Sequence, residues 1–254
     1  MQKLHKSIGG LLLAAGIAAW GMAAPAGAAE LTGDTVDTSA GPLVIHPINH
    51  ATMALSWNGE TIYVDPIGGA EAFEGLPAPD VIFLTDIHGD HFDDKTLAAV
   101  EGDDTKIVAP DAVAKQMSEP VRQHTQVMAN GDSGTVADID IEAMPMYNTT
   151  EDRLQYHTKG RGNGYVLTMG GTRVYIAGDT EDIPEMRALK DIDVAFLPMN
   201  LPYTMTVEQA ADAVLAFKPK VVYPYHYRGS DVEKFKSLVE EGNPDIEVRL
   251  AKWY

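Results

Sequence analysis

The chain has 254 residues, with 37 acidic against 19 basic side chains, a formal charge of −18 and no cysteine. Such an acid excess excludes a general electrostatic attraction to nucleic acid or to an anionic membrane. The missing cysteines exclude disulfides, thiolate metal ligands and a cysteine nucleophile, so any metal site must use histidine, carboxylate or amide donors.

The first stretch reads as a secretory signal peptide, 1–28. Lys3 and Lys6 make a basic start, an apolar run follows over 8–20, and small residues lead to Ala26-Gly27-Ala28, with cleavage expected between Ala28 and Ala29. The alternative, a transmembrane anchor, is disfavoured because the run is short of the roughly 20 residues a span needs and is rich in glycine and alanine. A periplasmic or secreted protein without a stable membrane anchor is expected. Residues 29–41 are small and polar and read as a flexible leader, and 42–254 as one domain, long enough to bury a full core.

Within that domain, strands are expected at 43–48, 52–57 and 61–65, the last two joined by the hairpin signal Asn58-Gly59. A buried strand at 81–84 empties into Thr85-Asp86-Ile87-His88-Gly89-Asp90-His91. A helix at 94–100, a strand at 106–109 and a short helix at 111–117 follow. The alternating segment 139–144 predicts a half-exposed strand. The polar stretch 147–163 predicts a long loop of the kind that often carries function. A second hairpin spans 164–169 and 173–177 around Gly170-Gly171, and buried strands are expected at 194–198 and 221–224. Helices are expected at 207–217, opened by the capping box Thr206-x-x-Gln209, and at 231–241, opened by Ser230-x-x-Glu233. A last strand covers 247–250. Hairpins in both halves argue against a purely parallel sheet, and two sheets packed together with helices outside fit this order. No internal repeat is visible.

Asp86, His88, Asp90 and His91 place four potential metal ligands in six positions directly after a buried strand. In extended chain Asp86, His88 and Asp90 share a face, and His91 joins them only if the chain turns at Gly89. Asp179 and His226 sit the same way, each just after an apolar run. Read singly, Asp179 is equally a turn residue and His226 equally a packed histidine; with the first cluster they favour a shared metal site. His46 and His50 read as structural residues of the first strands.

The segment Thr85–His91 resembles the Thr-His-x-His-x-Asp-His motif of the metallo-β-lactamase superfamily. Asp65-Pro66, Gly178-Asp179-Thr180 and Tyr225-His226-Tyr227 match its other markers in order. The likeness covers nearly the whole of 29–254. It is greatest to the branch of metal-dependent hydrolases that includes the L-ascorbate-6-phosphate lactonases, with the best matches at 174–181, 197–211 and 221–227. The resemblance implies an α+β fold, an αββα sandwich of two mixed sheets with helices on the outer faces. It implies one or two divalent ions, Zn²⁺ foremost, with Mn²⁺ or Fe²⁺ compatible with oxygen-rich donors. One ion would use Asp86, His88 and either Asn148 or His157; the other would use Asp90, His91 and His226; Asp179 would bridge them. The sequence departs from the motif at Asp86, where the family has histidine, and at Asn148, where the family's middle histidine is expected.

The function so implied is a secreted hydrolase that uses metal-activated water on a small ester, lactone or phosphoester, with Asp90 as the catalytic residue that orients the water. His157, Lys159, Arg153 and Arg161 are candidates for holding an anionic group, and Tyr203, Tyr225 and Tyr227 for lining the pocket. The alternative is a non-catalytic metal-binding or sensing protein with an altered first site; a purely structural relative of the fold is a third reading.

Overall fold

The computed structural model describes residues 30–254, and the expected signal peptide lies outside the described residues. β1 (Asp34–Thr38), β2 (Gly41–Asn49), β3 (Thr52–Trp57) and β4 (Glu60–Val64) run antiparallel, and β5 (Val81–Phe83), β6 (Lys106–Ala109) and β7 (Thr125–Val127) extend the sheet in parallel. The turn at Asn58-Gly59 has φ of 52° and 85°, the left-handed pair that a two-residue hairpin favours.

The second half repeats this plan. β8 (Ser133–Val136), β9 (Ile139–Met146), β10 (Gly162–Met169) and β11 (Thr172–Ile176) are antiparallel neighbours, and β12 (Val194–Pro198), β13 (Val221–Tyr225) and β14 (Glu247–Val248) follow in parallel. Each half therefore builds a 7-stranded sheet in chain order. The repeat lies in the topology.

Parallel joins need crossovers, and these carry the helices. α1 (Asp94–Val100), α2 (Asp111–Ala114) and α3 (Glu119–Arg122) serve the first sheet; α4 (Pro184–Arg187), α5 (Val207–Phe217) and α6 (Val232–Gly242) serve the second. The strand period sorts side chains between layers. Val81 and Phe83 enter the central core between the sheets, facing Ile141, Val194 and Phe196. Ile82 and Leu84 point outward to Leu97, Val113 and Val121 on α1–α3. Ala195 and Leu197 meet Ala210, Val214 and Phe235 on α5 and α6. The result is the expected αββα sandwich. Among the described residues no helix is long and apolar enough to cross a membrane.

Some local expectations are corrected. Residues 34–38 of the expected flexible leader form β1, paired with β2 from Asp34↔Ile45 to Thr38↔Gly41. Polar side chains hid this strand, because at a sheet edge only the backbone has to pair. α6 is capped by Asp231, whose carboxylate accepts from the Lys234 amide at 3.0 Å; Ser230 instead bonds the Met199 carbonyl. The expected 147–163 loop is shorter, since β10 begins at Gly162, and it holds a 3-10 turn at Glu151–Arg153.

Candidate metal centre

The site lies where β2, β4, β5, β11 and β13 end. Among non-glycine residues, His50, Asp65 and His226 have φ of 57°, 44° and 46° at the ends of β2, β4 and β13. Left-handed backbone at bulky residues is uncommon and gathers at functional sites. After β5 the chain tightens: the His91 and Phe92 amides both donate to the His88 carbonyl at 2.9 Å, the turn that brings His91 beside Asp86 and Asp90. Gly178 has φ 66°, and a β-carbon there would lie 2.6 Å from Met146 Sδ, so only glycine delivers Asp179 from β11.

Asp179 is the hub. Its Oδ2 lies 3.3 Å from His91 Nε2, 3.2 Å from His157 Nε2 and 3.3 Å from His226 Nε2. On one side Asp86 Oδ2 approaches His88 Nδ1 at 2.5 Å and His157 Nε2 at 3.8 Å. On the other, Asp90 Oδ2 lies 3.4 Å from His226 Nε2. The donors of Asp86, His88 and His157 lie within 4.8 Å of one another, as do those of His91, Asp179 and His226. The six expected ligands thus converge, and His157, not Asn148, joins them. Asn148 turns its amide away, donating to the Arg153 and Tyr203 carbonyls at 3.1 and 2.7 Å. Its Oδ1 stands 3.4 Å from His157 Nδ1, and that nitrogen also lies 3.1 Å from the Tyr203 carbonyl. Asn148 therefore helps aim His157 Nε2 at Asp179.

His91 Nε2, His226 Nδ1 and Nε2, Asp86 Oδ1 and Asp179 Oδ1 are buried without a hydrogen-bond partner. Stranding such atoms costs about 1–3 kcal/mol each. His91 and His226 Nε2 contact Asp179 without aligning for hydrogen bonds, as donors aimed at a shared third atom do. The donor set, three carboxylates and four imidazoles counting His157, fits divalent cations.

The supporting residues fit the same reading. His91 Nδ1 donates to Asp65 Oδ2 at 2.8 Å, the arrangement that leaves the Nε2 lone pair for a metal ion beside Asp179. The Thr85 amide and hydroxyl hold that carboxylate at 2.8 and 2.6 Å. Glu181 secures the His157 loop. Its Oε2 accepts from the amides and hydroxyls of Thr149 and Thr150 at 2.7–2.9 Å, and Arg153 Nη2 lies 2.9 Å from Oε1.

Electrostatics reinforce the geometry. Burial opposes the Asp179 charge, but His226 and His91 outweigh it and hold that carboxyl well below the usual range. Burial likewise opposes Asp90, and the adjacent His226 and His50 imidazoles outweigh it and hold that carboxyl low. Burial also opposes a charged His91, yet Asp179 and Asp65 raise it well above an ordinary imidazole.

His50 was expected to be structural, and it belongs to the site. Its Nε2 lies 3.2 Å from Asp90 Oδ2, its ring packs on His226 with centroids 3.7 Å apart, and its Nδ1 meets the Tyr254 hydroxyl. His46 does stay structural, bonding the Thr32 carbonyl at 2.5 Å. Two candidate anion-binding cations are engaged away from the cluster, Lys159 with Glu185 at 2.7 Å and Arg153 with Glu181, whereas Arg161 lies against it, 3.3 Å from Asp86. A cavity of about 280 Å³ opens above the cluster, lined by His88, Asp90, Tyr156, His157, Asp179 and Tyr203. Tyr225 is buried, its hydroxyl accepting from the Gly178 amide at 2.9 Å; Tyr227 packs beside Tyr254.

Sandwich and site together define a metal-dependent hydrolase. Residues 45–226 match the β-lactamase superfamily domain, and the chain belongs to that family. It is 31% identical over 218 residues to a UPF0173 metal-dependent hydrolase of Lysinibacillus sphaericus, covering 80% of this chain and 94% of that protein. To one of Pyrococcus furiosus it is 32% identical over 187 residues, covering 70% and 81%. A crystal structure from Parabacteroides distasonis, assigned to the metal-dependent hydrolases, superposes with TM-score 0.80 at 44% identity, over 89% of this chain and all of that one. The metallo hydrolase Igni18 of Ignicoccus hospitalis shares the fold at TM-score 0.69 and 23% identity, over 83% and 95% of the two chains.

Proposed function

We propose that the chain is an exported two-metal hydrolase of small esters, lactones or phosphoesters. Asp86, His88 and His157 would hold one divalent ion, Asp90, His91 and His226 the other, and Asp179 both. The observation that carries this reading is the convergence of three imidazole Nε2 atoms on Asp179 Oδ2 at 3.2–3.3 Å. Bound divalent ions supply Lewis acidity and make water nucleophilic at neutral pH. The chain's own residues do the positioning. Asp90, kept ionised and tied to His50 and His226, borders the cavity and serves to orient water as a hydrogen-bond acceptor. Arg161 balances the extra negative charge that Asp86 brings in place of an imidazole. Zn²⁺ is the first candidate ion, and the oxygen-rich Asp86 half also suits Mn²⁺ or Fe²⁺. The sequence motifs alone support kinship with the lactonase branch.

The test is metal content and turnover after reconstitution with Zn²⁺ or Mn²⁺. About two equivalents and hydrolysis that Asp179→Ala abolishes are expected; less than about 0.2 equivalents contradicts the reading. Asp86 in place of histidine favours the second reading, a metal-binding protein without catalysis. That reading requires stoichiometric metal with no turnover of any ester, lactone or phosphoester. Export rests on the composition of 1–28, and fractionation of the host cell would find the shortened chain outside the cytoplasm.

A further inference from the structure

A second cleft of about 400 Å³ adjoins the cavity over the ligand cluster, and Tyr156 lines both. The Tyr156 ring meets Tyr203 edge to face, with centroids 5.0 Å apart. Leu201 and Pro202 supply apolar lining to the cleft. Leu201 beside the cleft and Tyr203 beside the cavity stay 51% and 45% exposed, so apolar surface is open to a ligand in both spaces. Arg153 donates to the Thr204 carbonyl at 2.8 Å and so ties the two segments that form the cleft.

The charge around the two spaces points the same way. Arg153 lines the cleft, but its guanidinium is spent on Glu181, Thr150 and Thr204. Arg161 is paired with Asp86 and lines neither space. Asp152 presents an exposed carboxylate to the cleft, in a chain of net charge −18. Among the described residues, no uncommitted lysine or arginine borders either space to receive a phosphate dianion.

We propose that the substrate is an uncharged carboxylic ester or lactone with an apolar alkyl or aryl group. Its carbonyl sits over Asp179, and its apolar group runs along Tyr156, Leu201 and Pro202. This rests on the hydrolase reading above and selects among its three substrate classes. In the reaction the oxygen of water bonds to the acyl carbon. The acyl C–O bond breaks, its electron pair going to the leaving oxygen, which takes one proton from water. The second proton is released as the product acid ionises.

The experiment uses the metal-reconstituted chain with p-nitrophenyl acetate, butyrate, hexanoate and octanoate below their micelle concentrations, and with p-nitrophenyl phosphate. A fully buried methylene is worth about 4-fold, and an open cleft that buries a third of it about 1.5-fold. From acetate to octanoate, kcat/KM should therefore rise at least about 10-fold, with the phosphate about 100-fold below octanoate. Leu201→Asn, at an exposed position, should lower the octanoate-to-acetate ratio about 3-fold or more. Octanoate should also inhibit more tightly than acetate. A flat chain-length profile, an unchanged ratio in Leu201→Asn, or preference for the phosphate overturns this inference and leaves the hydrolase reading standing. No turnover of any of the five, nor of δ-decanolactone or bis(p-nitrophenyl) phosphate, by metal-loaded protein overturns both.

Discussion

Replacing Glu181 by glutamine removes the charge that ties the His157 loop to the segment carrying Asp179. The four donors from Thr149 and Thr150 converge on Oε2, so the amide oxygen takes that place and its NH₂ turns toward Arg153. Losing one member of a buried ion pair costs about 3–5 kcal/mol. Arg153 keeps acceptors in the Thr204 carbonyl and Thr150 Oγ1 at 2.8 and 2.7 Å, which points to the lower figure. At about 2–4 °C per kcal/mol for a domain of this size, Tm should fall by about 6–12 °C. Because the same loop aims His157, the folded variant should lose metal from the Asp86 half first, moving from about two equivalents toward one. Thermal unfolding followed by circular dichroism and metal content by mass spectrometry read both effects. An unchanged Tm with full metal loading would refute the clamp.

Three further outcomes follow from the same geometry. Asp65→Asn weakens the acceptor that orients His91, and metal affinity in a competition assay should fall about 10–100-fold; an unchanged affinity would show that His91 needs no such support. Tyr254→Phe removes only the hydroxyl that meets His50, and affinity at the Asp90 half should drop about 5-fold with little change in Tm, as expected for one hydrogen bond of about 1 kcal/mol. In the ion-free chain, Asp179 and Asp65 keep His91 protonated above the ordinary imidazole range, and Asp86 raises His88 as well. Metal must displace these protons, so affinity should rise with pH through neutrality and uptake should release protons. Titration calorimetry in two buffers of different ionisation enthalpy checks this; no proton release and a flat affinity from pH 6 to 8 would contradict it.

Much of the fold was legible because local chemistry and burial agree. Asn58-Gly59 and Gly170-Gly171 turn the two hairpins, and runs such as Val194–Pro198 alternate between two cores. The ligand cluster was legible for the same reason: Asp86, Asp179 and His226 each follow a buried strand, where side chains leave the sheet together. Long-range choices were not legible. Nothing local distinguishes His50 from His46; one lies beside Asp90 only because the turn between β2 and β3 meets the end of β13, where the His226 amide donates to the His50 carbonyl at 3.0 Å. His157, rather than Asn148, reaches Asp179 because a loop folds back onto Glu181, more than twenty residues away. β1 and β8 are polar edge strands whose pairing is carried by the backbone.

In the proposed two-metal site, His157 completes the Asp86 half. Anomalous diffraction from crystals loaded with Zn²⁺ or Mn²⁺ tests it most directly. Two peaks about 3.5–4 Å apart are predicted, both near Asp179. One should lie about 2.0–2.2 Å from His157 Nε2 and Asp86, and the other within similar reach of Asp90, His91 and His226. A single peak, or one bound by Asn148 with His157 turned away, would contradict it.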